Sequence, residues 1–131
     1  MTGVQTCALP ISVTLQVTAS DGGGLSFTQT FVISVTDINE APTALALGNA
    51  SVPENAPGAV VGSLTVTDPD NPNEPFGQHS FTVSDPRFEV VNGNLQLLPE
   101  TILDHEAEPT VTLQVTATDG GGLSFTETFV V

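Results

Sequence analysis

With 131 residues, the chain has room for one domain of ordinary size and a small part of another. Fifteen Asp and Glu face a single Lys or Arg, a formal net charge of −14, which excludes nucleic acid and anionic membrane surfaces as partners because phosphate neutralisation needs basic side chains. Val and Thr supply 34 residues, a density of β-branched side chains that favours sheet, and no apolar run approaches the roughly 20 residues that cross a bilayer, so direct membrane insertion is not expected.

Residues 1–11 read Met-Thr-Gly-Val-Gln-Thr-Cys-Ala-Leu-Pro-Ile. They resemble the translation of a common sequencing adapter and are set aside as an adapter-derived artefact. They carry no basic n-region and no apolar core of useful length, so a targeting role fits poorly. The one cysteine, Cys7, lies there, and the remainder offers no thiol chemistry. Beyond this segment, Val13 to Ile33 recurs at Val111 to Val131 with an offset of 98 residues and 18 of 21 positions identical. That period is too long for small solenoid units and suits tandem β-sandwich domains of about 100 residues. The expected organisation is the closing hairpin of one truncated repeat over 12–36, a linker over 37–42, and a nearly complete second repeat over 43–131.

Within the second repeat, short strands are expected at Thr43–Leu47, Ala59–Thr67, His79–Ser84, Phe88–Val91, Leu95–Leu98, Val111–Ala117 and Ser124–Val131. Asn92-Gly93 between the fourth and fifth is a hairpin signal, because Asn-Gly suits turns with positive φ. Val111, Leu113, Val115 and Ala117 alternate with polar residues, so one face of each sheet is buried. The predicted fold is all-β, two sheets packed as a sandwich.

If the strands alternate in direction, the loops fall at two poles. Asp68, Asp70 and Asp119 then share the pole entered by the linker, which carries Asp37, Asn39 and Glu40. Glu54, Asp104 and Glu106 share the opposite pole. Clustered carboxylates repel, and Arg87 alone cannot neutralise them. Calcium fits such groups best, taking 6 to 8 oxygen ligands at flexible geometry, whereas magnesium demands a stricter octahedron. Zinc and softer metals want His or Cys, and only His79 and His105 are present outside the first segment.

Taken in order, Asp37-Ile38-Asn39-Glu40-Ala41-Pro42, Pro53-Glu54-Asn55, Asp68-Pro69-Asp70, Leu103-Asp104-His105-Glu106 and Ala117-Thr118-Asp119-Gly120 resemble the motifs of cadherin repeats. The resemblance covers residues 12–131 and is nearest to the cadherin-like repeats of large bacterial surface and secreted proteins. It implies seven-stranded Greek-key sandwiches in tandem, joined by calcium-rigidified linkers, at the cell surface or outside the cell, and working in adhesion. It further implies that Glu54, Asp104 and Glu106 donate from the upstream side of a junction. Asp37, Asn39 and Glu40 are then linker ligands, and Asp68, Asp70 and Asp119 donate from the downstream side. Asp21 is the equivalent of Asp119 in the earlier hairpin. Glu40 stands where the family has Asp, and Ala41 where it often has Asn. The partners implied are neighbouring repeats of the same parent chain and a cell-surface protein or glycan.

Plainer readings compete. Single surface carboxylates are usually solvated. Asp104 and Glu106 as a glycosidase pair lack an aromatic platform. The glycine triplets at 22–24 and 120–122 precede strands without a Lys, so they read as turns and not as phosphate loops. Phe27, Phe31, Phe81, Phe88, Phe125 and Phe129 read as core. No catalytic nucleophile, base or organic cofactor is supported, so an enzyme is not expected. The alternatives to a calcium-stiffened stalk are a calcium-independent spacer and a carbohydrate- or protein-binding module; the absence of Trp and Tyr weighs against sugar stacking.

Overall fold

The computed structural model describes residues 11–131, so the segment set aside as adapter-derived lies outside the described residues except for Ile11, which begins the first strand. The chain divides into two units, Met1–Ile38 and Asn39–Val131. In the first, β1 (Ile11–Ser20) and β2 (Ser26–Val35) form an antiparallel ladder running from Ile11 opposite Val35 to Ser20 opposite Ser26. Asp21 makes the turn: its Oδ1 accepts the N–H of Gly23 at 2.8 Å and of Leu25 at 3.0 Å, and Gly24 takes φ +90°. Both faces of this ribbon are exposed, with Leu15 alone half-buried.

The second unit holds β3 (Ala44–Leu47), β4 (Val60–Thr67), β5 (Ser80–Val83), β6 (Phe88–Val91), β7 (Asn94–Leu97), β8 (Thr112–Thr118) and β9 (Ser124–Val130). One sheet has the order β3-β4-β7-β6 and the other β5-β8-β9, every neighbouring pair antiparallel. The β6–β7 connection is Asn92-Gly93, at φ +50° and +77°, the pair of left-handed residues that a two-residue hairpin matched to strand twist requires. Leu45, Val61, Phe88, Leu95, Leu97, Val111, Leu113, Val115 and Ala117 are buried between the sheets. Strand β8 shows how sequence dictates this: its period of two sends Leu113, Val115 and Ala117 inward and Thr112 and Gln114 out. β3 lies against β9 across the sandwich edge.

The fold is therefore all-β, a two-sheet sandwich. The loops β4–β5 and β8–β9 emerge at one pole, and the loops β3–β4 and β7–β8 at the other. The first of these contains a feature the sequence did not signal, a single 3-10 turn at Pro75–Gly77. Among the described residues no helix is long and apolar enough to cross a membrane.

Candidate metal centre

Local chemistry places Asp119. At the end of β8 its Oδ1 accepts the N–H of Gly121 at 2.8 Å and of Leu123 at 2.9 Å, while its own N–H donates to the Leu123 carbonyl at 2.8 Å. This Asx turn holds the carboxylate at the pole, where its Oδ2 accepts the side-chain amide of Asn39 at 3.1 Å. At the end of β4, Asp68 Oδ1 caps the N–H of Asp70 at 2.9 Å, a reach that brings both side chains to the same loop mouth. Asp70 Oδ2 in turn accepts the backbone N–H of Glu40 at 3.0 Å.

The outcome is one cluster. Asp68, Asp70 and Asp119 each offer a carboxylate oxygen within 4.8 Å of the others. Asp70 and Asp119 are both 6% exposed, and the Asp68 side chain is nearly as enclosed. Desolvation, the largest influence on Asp119, pushes its carboxyl up, but hydrogen bonds from Leu123, Asn39, Gly121 and Gly122 outweigh it and hold the group below the ordinary carboxylate range. It is thus ionised near neutrality. Two buried carboxylates with a third, half-buried one beside them are costly as charges unless paired. The Arg87 guanidinium is engaged elsewhere, with Asp85 at 2.7 Å and Glu108 at 2.7 Å.

Two further groups complete this pole. His79 Nε2 lies 2.6 Å from Asp68 Oδ2, a contact that sequence spacing did not reveal because the two stand eleven positions apart with the Pro75–Gly77 turn between them. Asn39 Oδ1 is buried and has no hydrogen-bond partner among the described residues. A buried acceptor left unsatisfied beside three carboxylates is what a cation-ready donor set presents. Glycine makes the close approach possible: a Cβ on Gly121 would stand 2.5 Å from the Asn39 side chain, and one on Gly120 would collide with the Pro75 carbonyl.

At the opposite pole Glu54, Asp104 and Glu106 also bring carboxylate oxygens within 4.8 Å, but all three are exposed. Glu54 Oε2 accepts the N–H of His105 at 3.1 Å, tying the β3–β4 loop to the β7–β8 loop, and Asp104 Oδ1 accepts the N–H of Glu106 at 3.0 Å. Asp21 and Asp37 lie in the first unit, and neither joins a three-acid group among the described residues. The linker-pole set offers carboxylate and amide oxygens and the opposite set carboxylate oxygens, donors that suit a hard cation of flexible coordination.

Comparison with known proteins names this two-sheet sandwich with an acidic cluster at each pole. The family model described as the cadherin domain matches residues 48–131, more than half of the sequence. The chain belongs to the cadherin family. Extracellular cadherin domains 1-4 of protocadherin gamma B7 are 27% identical, with 92% of this chain and 31% of that chain covered at a TM-score of 0.73. The EC3-6 cis-dimer structure of protocadherin gamma B7 is 25% identical, with 99% of this chain and 33% of that chain covered at 0.74. The human desmocollin-1 ectodomain, 22% identical over 92% of this chain and 26% of that chain at 0.66, shares the fold. The chain spans about a third of the length of the protocadherin structures it matches.

Proposed function

We propose that this chain is a calcium-binding cadherin repeat of a larger extracellular or cell-surface protein, acting in adhesion or stalk formation by stiffening the junctions between repeats. The observation that carries the reading is the enclosed set of Asp68, Asp70 and Asp119 around Asn39, whose amide oxygen has no partner. Asp68, Asp70, Asp119 and Asn39 would hold calcium at the linker pole, with Glu40 and Asp37 of the linker contributing. Glu54, Asp104 and Glu106 would donate to the following junction. Bound calcium supplies charge neutralisation between repeats. Without it, carboxylates contributed by adjacent repeats repel and the Asp37–Pro42 linker flexes; with it, the angle between repeats is fixed. The partners are neighbouring repeats, with a cell-surface protein or glycan beyond them.

Calorimetric titration of the chain tests this. Saturable calcium binding that Asp70→Asn weakens supports the reading. Two copies of residues 34–131 joined head to tail provide a full junction, and small-angle scattering should show them lengthening and stiffening with calcium. Absence of binding heat in both proteins would favour a calcium-independent spacer.

A further inference from the structure

The donor set at the linker pole is divided between the two sheets. Asp68 follows β4 in one sheet, whereas Asp119 follows β8 in the other. A cation shared by both carboxylates therefore needs the sheets held at a fixed offset at this end. His79 lies one position before Ser80, whose partner across the ladder is Thr118, and Asp119 lies one position after Thr118. His79 and Asp119 thus flank the same rung, and by the period of two both fall on the side that Phe81 and Ala117 turn to the core. From there the imidazole reaches the other sheet. Its Nε2 is 2.6 Å from Asp68 Oδ2, with the two side chains 11% and 4% exposed.

The surroundings keep this contact rigid. Leu64, Val66 and Phe81 line the cleft in which imidazole and carboxylate meet, so the hydrogen bond lies in a low dielectric. The loop that delivers His79 is closed by its own packing: a Cβ on Gly77 would collide with the Asn71 carbonyl, and the Gln78 N–H donates to the Pro75 carbonyl at 3.3 Å. Asp68 Oδ1 accepts the N–H of Asp70 at 2.9 Å. Each oxygen of Asp68 thus has a protein partner and keeps a second lone pair for a cation.

We propose that His79 is a positioning residue of the linker-pole site. Donating from Nε2 to Asp68 Oδ2, it fixes the carboxylate of one sheet against Asp119 of the other, and calcium meets a set already assembled. The inference rests on the calcium reading given above. The imidazole acts through Asp68 and not as a ligand, because calcium takes oxygen donors. For Asp68 to accept at Oδ2 and still face a cation, the shared proton belongs to Nε2. Outer partners of this kind are worth about 10–100-fold in metal affinity.

The test is calorimetric titration with calcium of the full chain carrying Asp104→Asn, which weakens the exposed set at the other pole. His79→Leu should raise the dissociation constant about 10–100-fold, and His79→Gln, which returns an N–H near the place of Nε2, should recover most of that loss. In an Asp68→Asn background His79→Leu should add little, because a residue acting through Asp68 has nothing left to position. Long-range proton–nitrogen NMR correlation of the unsubstituted chain in chelator gives a reading that needs neither calcium nor a folded variant, with the proton expected on Nε2 of His79. A bare Nε2 lone pair overturns the proposal. So does an affinity that His79→Leu leaves unchanged, or lowers equally in the Asp68→Asn background. Absence of calcium binding with histidine intact, while Nε2 carries the proton, removes the calcium reading and this role with it.

Discussion

Two hairpins of one sequence separate what a segment decides for itself from what its surroundings decide. In both, an aspartate accepts the backbone N–H groups two and four residues on, a glycine follows at φ +90° or +95°, and a Thr–Thr hydroxyl pair bridges the strands at 2.7 Å. Turn, register and cross-strand pairing are therefore local properties. Burial is not: the same valines are exposed in β1 and buried in β8. Nor is the metal-ready chemistry. Asp21 has the Asp119 turn without Asp68, Asp70 and Asn39 around it.

The largest effect that sharpens this contrast is in the core. Leu113→Ala should destabilise the second unit by about 2–5 kcal/mol, while Leu15→Ala, at the matching place in the ribbon, should leave that unit's denaturant midpoint unchanged. Calcium comes next. At a concentration a hundredfold above its dissociation constant it should stabilise the second unit by about 2.7 kcal/mol, seen as a rise in melting temperature that Asp119→Asn removes. The glycine triplets offer a third pair. Gly120→Ala drives a methyl into the Pro75 carbonyl, and overpacking of this kind costs about 1–3 kcal/mol. Gly22→Ala meets open space and should be neutral or slightly stabilising in thermal melts.

The smallest effect belongs to a charge pair with no counterpart in the ribbon. Hydrogen bonding from the Arg87 side chain holds the Asp85 carboxyl below its usual 3.8. A depressed carboxyl contributes stability that is present above its unfolded value and lost as pH falls through the folded one. The stability gap between wild type and Asp85→Asn should thus be full near neutrality and close below pH 3.8. With solvent reaching both partners, that gap is about 1 kcal/mol or less.

The same contrast explains what could be read in advance. The β8 alternation, the Asn92-Gly93 turn and the Asp119 turn are written in short stretches of sequence, and so were legible. The grouping of Asp68 with Asp70 and Asp119 followed from strand direction alone. His79 against Asp68, Asn71 buried in the β4–β5 loop, and the pairing of Arg87 with Glu108 depend on where loops fold in space. Gly120 and Gly121 looked like turn residues and are also packing surfaces for Pro75 and Asn39. Nothing in their own neighbourhood announces that.

The most direct test of the central claim is the melting temperature of the second unit, with calcium and with chelator, in the wild-type chain, in Asp119→Asn and in Asp21→Asn. The account predicts a calcium-dependent rise in the wild type, its loss in Asp119→Asn, and its retention in Asp21→Asn. A wild-type melting temperature indifferent to calcium, or a rise that survives Asp119→Asn, would contradict it.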